Sequence, residues 1–218
     1  MIIERNIEMF MTTTKEHLGM LSKANRVHLW AWALVGVLGL AASVRADVLF
    51  SNLGDDDSWD RDSSYVLRGP DGSGSSPAGG KAMPFTAAFT GALTYVELPL
   101  GVTLIPGTNE FIVELRADDN GSPGDVLESF IFDDVPYVYS ESQTLSVGIS
   151  MLNPVLEQDT TYWLAAFPSA NDTSGGWNWS SPLQYGIWAA SSDGGDTWEF
   201  NPFGREEIAA FRISADPL

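Results

Sequence analysis

A chain of 218 residues with 29 acidic side chains, 11 basic ones and no cysteine is built for acidic solubility, and its charge repels phosphate backbones and anionic lipid, which speaks against nucleic-acid binding. Residues 1–46 hold five of the basic residues, three of the acidic ones and both histidines, so from Asp47 onward six basic and 26 acidic residues remain, with neither His nor Cys. That excludes Ser-His and Cys-His nucleophile pairs and ordinary imidazole or thiolate zinc sites, and leaves acid–base work to carboxylates and tyrosine.

Taken in chain order, residues 29–42 form a 14-residue apolar run preceded by Lys23, Arg26 and His28 and followed by Ser43, Val44, Arg45 and Ala46. This is the pattern of a secretory signal peptide over residues 1–46, cleaved after Ala46. It is shorter than the roughly 20 residues a bilayer span needs. The expectation is one exported β-domain over residues 47–218, secreted, extracellular or at the cell surface, with no membrane span after cleavage.

Residues 48–51 open as a strand. An acidic loop follows with Asp55, Asp56, Asp57, Asp60 and Asp62. Asp55, Asp57 and Asp60 are candidate ligands for Ca²⁺, which takes six to eight oxygens; the glycine and distal glutamate of an EF-hand are missing, and the alternative is a solvated acidic turn. Residues 64–68 read as a strand and the Gly-, Ser- and Pro-rich residues 69–80 as a loop. Residues 82–85 make a short strand that Pro84 pushes to an edge. Residues 92–100 alternate, with Val96, Leu98 and Leu100 on one face.

Residues 109–132 are the clearest element. Two apolar arms flank Asp118, Asp119, Asn120 and Gly121, where Asn-Gly supplies positive φ and Pro123-Gly124 is expected to add a second reversal. Residues 144–149 should place Leu145, Val147 and Ile149 inward. Residues 160–167 are apolar on both faces, as in a central, doubly covered strand. A polar, Gly-rich stretch over 168–176 precedes short strands at 177–179, 185–190, 197–200 and 208–213. Ten to twelve short strands without a helical period give an all-β, antiparallel two-sheet sandwich of jelly-roll type.

Trp177 and Trp179, two apart, face the same side of an extended segment. Set in polar flanks, they are the candidate ligand-binding pair for stacking on sugars, the alternative being core packing. Asn120, Asn171 and Asn178 head glycosylation-acceptor triplets. A glycosidase needs two carboxylates about 5–9 Å apart, which 26 acidic residues satisfy too easily to be informative.

The phrases Val48-Leu-Phe-Ser-Asn-Leu-Gly54, Ala82-Met-Pro-Phe-Thr86, Val113-Glu-Leu-Arg-Ala-Asp118 through Gly121-Ser-Pro-Gly124 to Val126-Leu127, Thr161-Tyr-Trp-Leu164, Ser192-Asp-Gly-Gly195 before Trp198, and Ala210-Phe-Arg-Ile213 occur in that order. Together they resemble the choice-of-anchor domains, type R, of bacterial exported proteins, over nearly all of residues 47–213. The resemblance implies an exported β-sandwich whose relatives attach to the cell surface in different ways, many through a C-terminal sorting signal. This chain ends at Ala215-Asp-Pro-Leu218 without such a tail, so free secretion is the expectation. No activity or catalytic position comes with the family.

Three functions follow as expectations: a non-catalytic exported sandwich for cell-surface or extracellular-matrix interaction, a glycan-binding module using Trp177 and Trp179, and a carboxylate-only glycoside hydrolase. The first is preferred, with no enzyme activity, no cofactor unless Ca²⁺, and an extracellular polysaccharide or a cell-surface protein as partner.

Overall fold

A computed structural model describes residues 46–72, 77–103, 107–201 and 206–218, all within the unit Arg45–Leu218. The signal-peptide reading therefore lies outside the described residues, Ala46 excepted. In chain order the strands are β1 (Asp47–Ser51), β2 (Trp59–Arg68), β3 (Gly80–Thr86), β4 (Gly91–Leu98), β5 (Leu100–Val102), β6 (Glu110–Asp119), β7 (Ser122–Asp133), β8 (Ser146–Ile149), β9 (Val155–Leu156), β10 (Thr161–Pro168), β11 (Ser174–Ser180), β12 (Tyr185–Gly186), β13 (Ala189–Ser191), β14 (Glu199–Phe200), β15 (Glu206–Glu207) and β16 (Arg212–Pro217). No helix among the described residues is long and apolar enough to cross a membrane.

The chain forms the expected all-β antiparallel sandwich. One sheet runs β14-β13-β3-β10-β6-β7. Opposite it lie β1-β16-β4-β8, with β9 on β4, and β2-β11-β5. All pairings between named strands of these sheets are antiparallel. Alternation decides what each strand buries. Phe111, Val113 and Leu115 of β6 meet Leu93, Val96 and Leu98 of β4 in one core. β10 is central and covered twice: Tyr162, Leu164 and Ala166 enter that core, while Trp163, Ala165 and Phe167 join Ala82 and Ala189 in a second cluster on the outer face.

The second layer is joined across a break. Pro99 alone separates β4 from β5, and proline cannot donate to a ladder. β11 spans the gap through Asn178, which is fully buried. Its backbone N–H donates to the Pro99 carbonyl at 3.1 Å and its carbonyl accepts from Ala210 N–H at 2.8 Å. Its side-chain amide donates to the carbonyls of Asp60 (3.1 Å) and Ser63 (3.3 Å) and accepts from Gln143 Nε2 (2.9 Å). Asn52, also fully buried, does the same at the far side: Nδ2 donates to Ala209 O and Oδ1 accepts from Phe211 N–H, each at 2.7 Å. Both amides act as inserted peptide units. The acceptor triplet headed by Asn178 is therefore closed to modification.

The hairpin of β6 and β7 turns on two residues, Asn120 at φ 54° and Gly121 at φ 86°. The Gly121 N–H donates to Asp118 Oδ2 at 2.9 Å. The second reversal expected at Pro123-Gly124 does not occur. Both residues lie inside β7: Pro123 keeps its register opposite Asp118, and the chain takes up its irregularity in shifts between Pro123 and Glu128. β8 also differs from expectation. Val147 and Ile149 are exposed and Gly148 is buried. A Cβ on Gly148 would lie 2.8 Å and 2.9 Å from the rings of Phe130 and Phe132. Those rings fill the inner side, so the residue without a side chain faces them. β2 begins at Trp59, which puts Asp60 and Asp62 in a strand instead of a loop.

The Asn178→Ala variant is expected to lose about 2–4 kcal/mol of stability, because two part-buried carbonyls lose a donor and the buried Gln143 amide keeps only its bond to the Leu100 carbonyl; urea denaturation measures it. A second expectation concerns alkali. The Tyr65 hydroxyl donates to the Glu207 carbonyl, and burial, then the Glu206 and Glu207 carboxylates, raise its pKa above the ordinary 10.0. A pKa raised by folding gives stability that is fully present below the unfolded value and is lost as pH rises through the folded one. Absorbance titration should show one phenol resisting ionisation past pH 10.0, and Tyr65→Phe should remove it.

Candidate functional site

The residues singled out in the sequence lie in three elements: Trp177 and Trp179 in β11, Asp55 and Asp57 in the turn after β1, and Asp60 in β2. Trp177 is completely buried, rings against Phe211 at 5.8 Å and donates its indole N–H to the Ala210 carbonyl at 2.7 Å. Trp179 does share its face, as the spacing requires, but that face is the inner one. It is half-buried, packs on the core and stands 5.8 Å from Tyr65. The polar flank that made the pair look exposed is itself strand: β11 starts at Ser174, and a Cβ on Gly175 would sit 2.2 Å from the Gly101 carbonyl. These glycines are there for close packing.

Asp55 and Asp57 belong to a short 3-10 turn, with Asp56 and Asp57 at φ 55° and 57°. Asp57 Oδ1 is bound to Arg212 Nη1 at 2.6 Å. Asp60 Oδ1 accepts the Asp62 N–H at 2.9 Å. Asp57 and Asp60 are thus engaged with different partners, and among the described residues no three His, Cys, Asp or Glu side chains gather as metal ligands. Arg212 also reaches Glu97, and the hydrogen bonds it donates to Glu97 and Asp57 raise its pKa further above the ordinary value, against the opposing effect of burial.

A cleft of about 400 Å³ lies instead on the outer face of the β10 sheet. Pro84 of β3, Thr161 and Trp163 of β10, and Asp118 of β6 supply its floor; Gly121, Ile187 and Phe200 supply its walls. Register explains the floor, because Pro84 and Trp163 are cross-strand partners. The Trp163 ring is almost wholly buried, and its indole N–H donates to Asp118 Oδ1 at 2.7 Å. Asp118 thus holds both the tryptophan and the hairpin turn. Phe200 packs on Trp163 at 6.1 Å with an interplanar angle of 65°, an edge-to-face pair. Phe200 and Ile187 are about half exposed.

Phe200 is placed by the loop between β13 and β14. Asp193 organises it: its carboxylate accepts from the Ser191 hydroxyl at 2.7 Å and from the Thr197 N–H at 3.0 Å and hydroxyl at 2.5 Å. The Thr197 and Ser191 donors hold the Asp193 pKa well below the usual carboxylate range. The turn passes through Gly194 and Gly195 at φ 77° and 97°, conformations open to glycine. It sets Trp198 5.8 Å from Phe167 and under the Arg116 guanidinium, 5.5 Å from the ring. Arg116 is buried, pairs with Glu114 at 2.7 Å and donates to the carbonyls of Gly124 (3.0 Å) and Gly195 (3.3 Å). One cation ties the hairpin tip to the loop that carries Phe200.

Chemically the cleft offers apolar ring and hydrocarbon surface, one hydroxyl and one carboxylate. Both Asp118 oxygens already accept a hydrogen bond, and no second carboxylate lines the cleft. It suits recognition by contact and one or two directed hydrogen bonds. It lacks the facing carboxylate pair of glycoside hydrolysis. No family model matches this chain, nor does any curated protein or solved structure compared with it.

Trp177→Ala should cost about 3–5 kcal/mol, as for an aromatic removed from a core. Phe200→Ala, at a half-exposed ring, should cost about 1 kcal/mol or less. Parallel denaturation curves separate the two roles.

Proposed function

We propose that this is an exported, non-catalytic β-sandwich protein that acts by recognition at the cell surface or in the extracellular matrix, with a neutral glycan as the ligand of the Trp163–Phe200 cleft. The observation that carries the reading is the pairing of ring surface with a fixed acceptor. Phe200, Ile187 and Pro84 present C–H-compatible apolar faces, and Asp118 and Thr161 stand beside them as hydrogen-bonding groups. A sugar ring has the matching make-up, an apolar face and a rim of hydroxyls. A charge of 26 acidic against six basic residues from Asp47 onward favours a ligand without negative charge. The glycan reading thereby moves from Trp177 and Trp179 to other residues.

The apolar run at 29–42 with its basic flank supports export. The likeness to choice-of-anchor domains supports a surface role. The absence of His and Cys after residue 46, and the single carboxylate in the cleft, support binding over catalysis.

The test is a polysaccharide pull-down and glycan array with the wild-type protein and Phe200→Ala. Binding to a neutral polysaccharide that falls about ten-fold in the variant, the loss of roughly one stacking contact, is the expected result. A blank array overturns the glycan assignment, and turnover of any bound polysaccharide overturns the non-catalytic one.

A further inference from the structure

From Asp47 onward carboxylates outnumber basic groups by more than four to one, yet residues 142–156 contain no ionisable side chain. Within that stretch Val147, Ile149, Met151, Leu152 and Val155 are each at least half exposed, at 52%, 71%, 83%, 70% and 51%. Ile149, Met151 and Leu152, crowded into four consecutive positions, are three of the five most exposed large apolar side chains among the described residues. Isolated exposed apolar residues need no explanation, but a contiguous group does.

The group is held in place. β8 pairs with β4 along Tyr95–Leu98. The buried Glu128 carboxylate accepts from the Ser150 hydroxyl (2.5 Å), the Met151 N–H (2.6 Å) and the Leu152 N–H (3.1 Å). Asn153 Nδ2 donates to the Leu93 carbonyl at 2.9 Å. Gly148, wedged under Phe130 and Phe132, keeps its neighbours turned outward. Two carboxylates within the patch's own pairings are occupied: Glu128 by those three donors, and Glu97, the cross-strand partner of Val147, by Arg212; Glu141 and Glu157 flank the segment at its two ends. The patch is apolar, fixed and electrically quiet.

We infer that this patch seats a second copy of the same chain, in a two-fold dimer in which residues 147–155 of each copy face one another. Two bodies of this acidity repel wherever carboxylates meet. Here each presents a surface without charge, and a two-fold axis makes the patch its own complement. The five apolar side chains offer a cationic partner nothing to pair with, carboxylates standing only at the margin of the patch, and an anionic membrane would be repelled by the rest of the body. Five side chains from each of two copies bury on the order of 1,000 Å² in all, the low end for a specific interface. The dimer is therefore weak and concentration-dependent. Its salt response is the reverse of a salt-bridged interface: screening relieves the long-range repulsion and tightens association.

Sedimentation velocity of the full chain over a range of concentrations tests this. Expected is a monomer–dimer equilibrium that shifts toward dimer at high salt and is weakened at least about ten-fold by Ile149→Glu and by Met151→Glu, with unchanged circular dichroism in both variants. A monomer at every concentration, a dimer indifferent to both substitutions, or one loosened by salt overturns the inference. So does a monomer that floats with uncharged phosphatidylcholine vesicles, which would assign the patch to a lipid surface.

Discussion

The sandwich depends on one constraint: a proline interrupts the strand that should run through both parts of its second layer, and a buried amide has to close the gap. Pro99 ends β4 and begins β5, leaving the ladder without a donor at that step. Asn178 bridges the break: its N–H donates to the Pro99 carbonyl, its carbonyl takes its hydrogen bond from the Ala210 N–H instead, and its side chain ties in Asp60, Ser63 and Gln143. Asn52 repeats the device between β1 and the residues leading into β16. A buried amide with all its partners contributes little net stability, but the same amide with partners missing is costly. Such positions therefore select one arrangement of strands against nearby alternatives.

That joined layer gives the β10 sheet a rigid back, and the outer face of that sheet is free to carry a site. β10 holds both sides at once: its even-numbered residues fill the core, and Trp163 and Phe167 stand on the outside. Phe167 receives Trp198 and Trp163 receives Phe200, so two aromatic pairs bolt the β13–β14 loop to the sheet. Asp118 and Arg116, two residues apart on β6, complete it from the hairpin side. The cleft walls come from loops and its floor from paired strands, the usual division between variable and invariant parts of a binding site.

Much of the fold was legible in the chain because period-two alternation is a strong signal when one face is buried. Val96, Leu98 and Leu100 lie inward as read, Asn120-Gly121 makes the turn, and residues 160–167 form the central strand. The failures have physical causes. Gly175 and Gly176 look like loop residues, yet they are strand residues where backbones approach too closely for a Cβ. Val147 and Ile149 match the inward pattern, but Phe130 and Phe132 had already taken the inside. The cleft itself was hidden because its residues come from four separate stretches, 84, 118–121, 161–163 and 187–200. Its one local trace was the apolarity of residues 160–167 on both faces, which says that something covers Trp163 without saying what. The spacing of Trp177 and Trp179 puts them on one face but does not tell the inside of a sandwich from the outside, and their polar, Gly-rich flank is strand.

The scarcity of basic residues has a further effect. Arg61, Arg68, Lys81, Arg116 and Arg212 are all the lysines and arginines among the described residues; the last four sit at paired strand positions, and Arg61 lies in β2 where its register with β11 shifts. Trypsin-like enzymes cut after these residues and need several residues of unpaired, extended chain to do so, which loop tips supply and paired strands do not. In the folded molecule such proteases meet protected bonds at Arg68, Lys81, Arg116 and Arg212, and cleavage there waits on opening of the sheet itself. The lone lysine, Lys81, has its Nζ 5.1 Å from the centre of the Trp188 ring, with burial lowering its pKa. Tryptic cutting at the four paired positions would therefore report how often these sheets open.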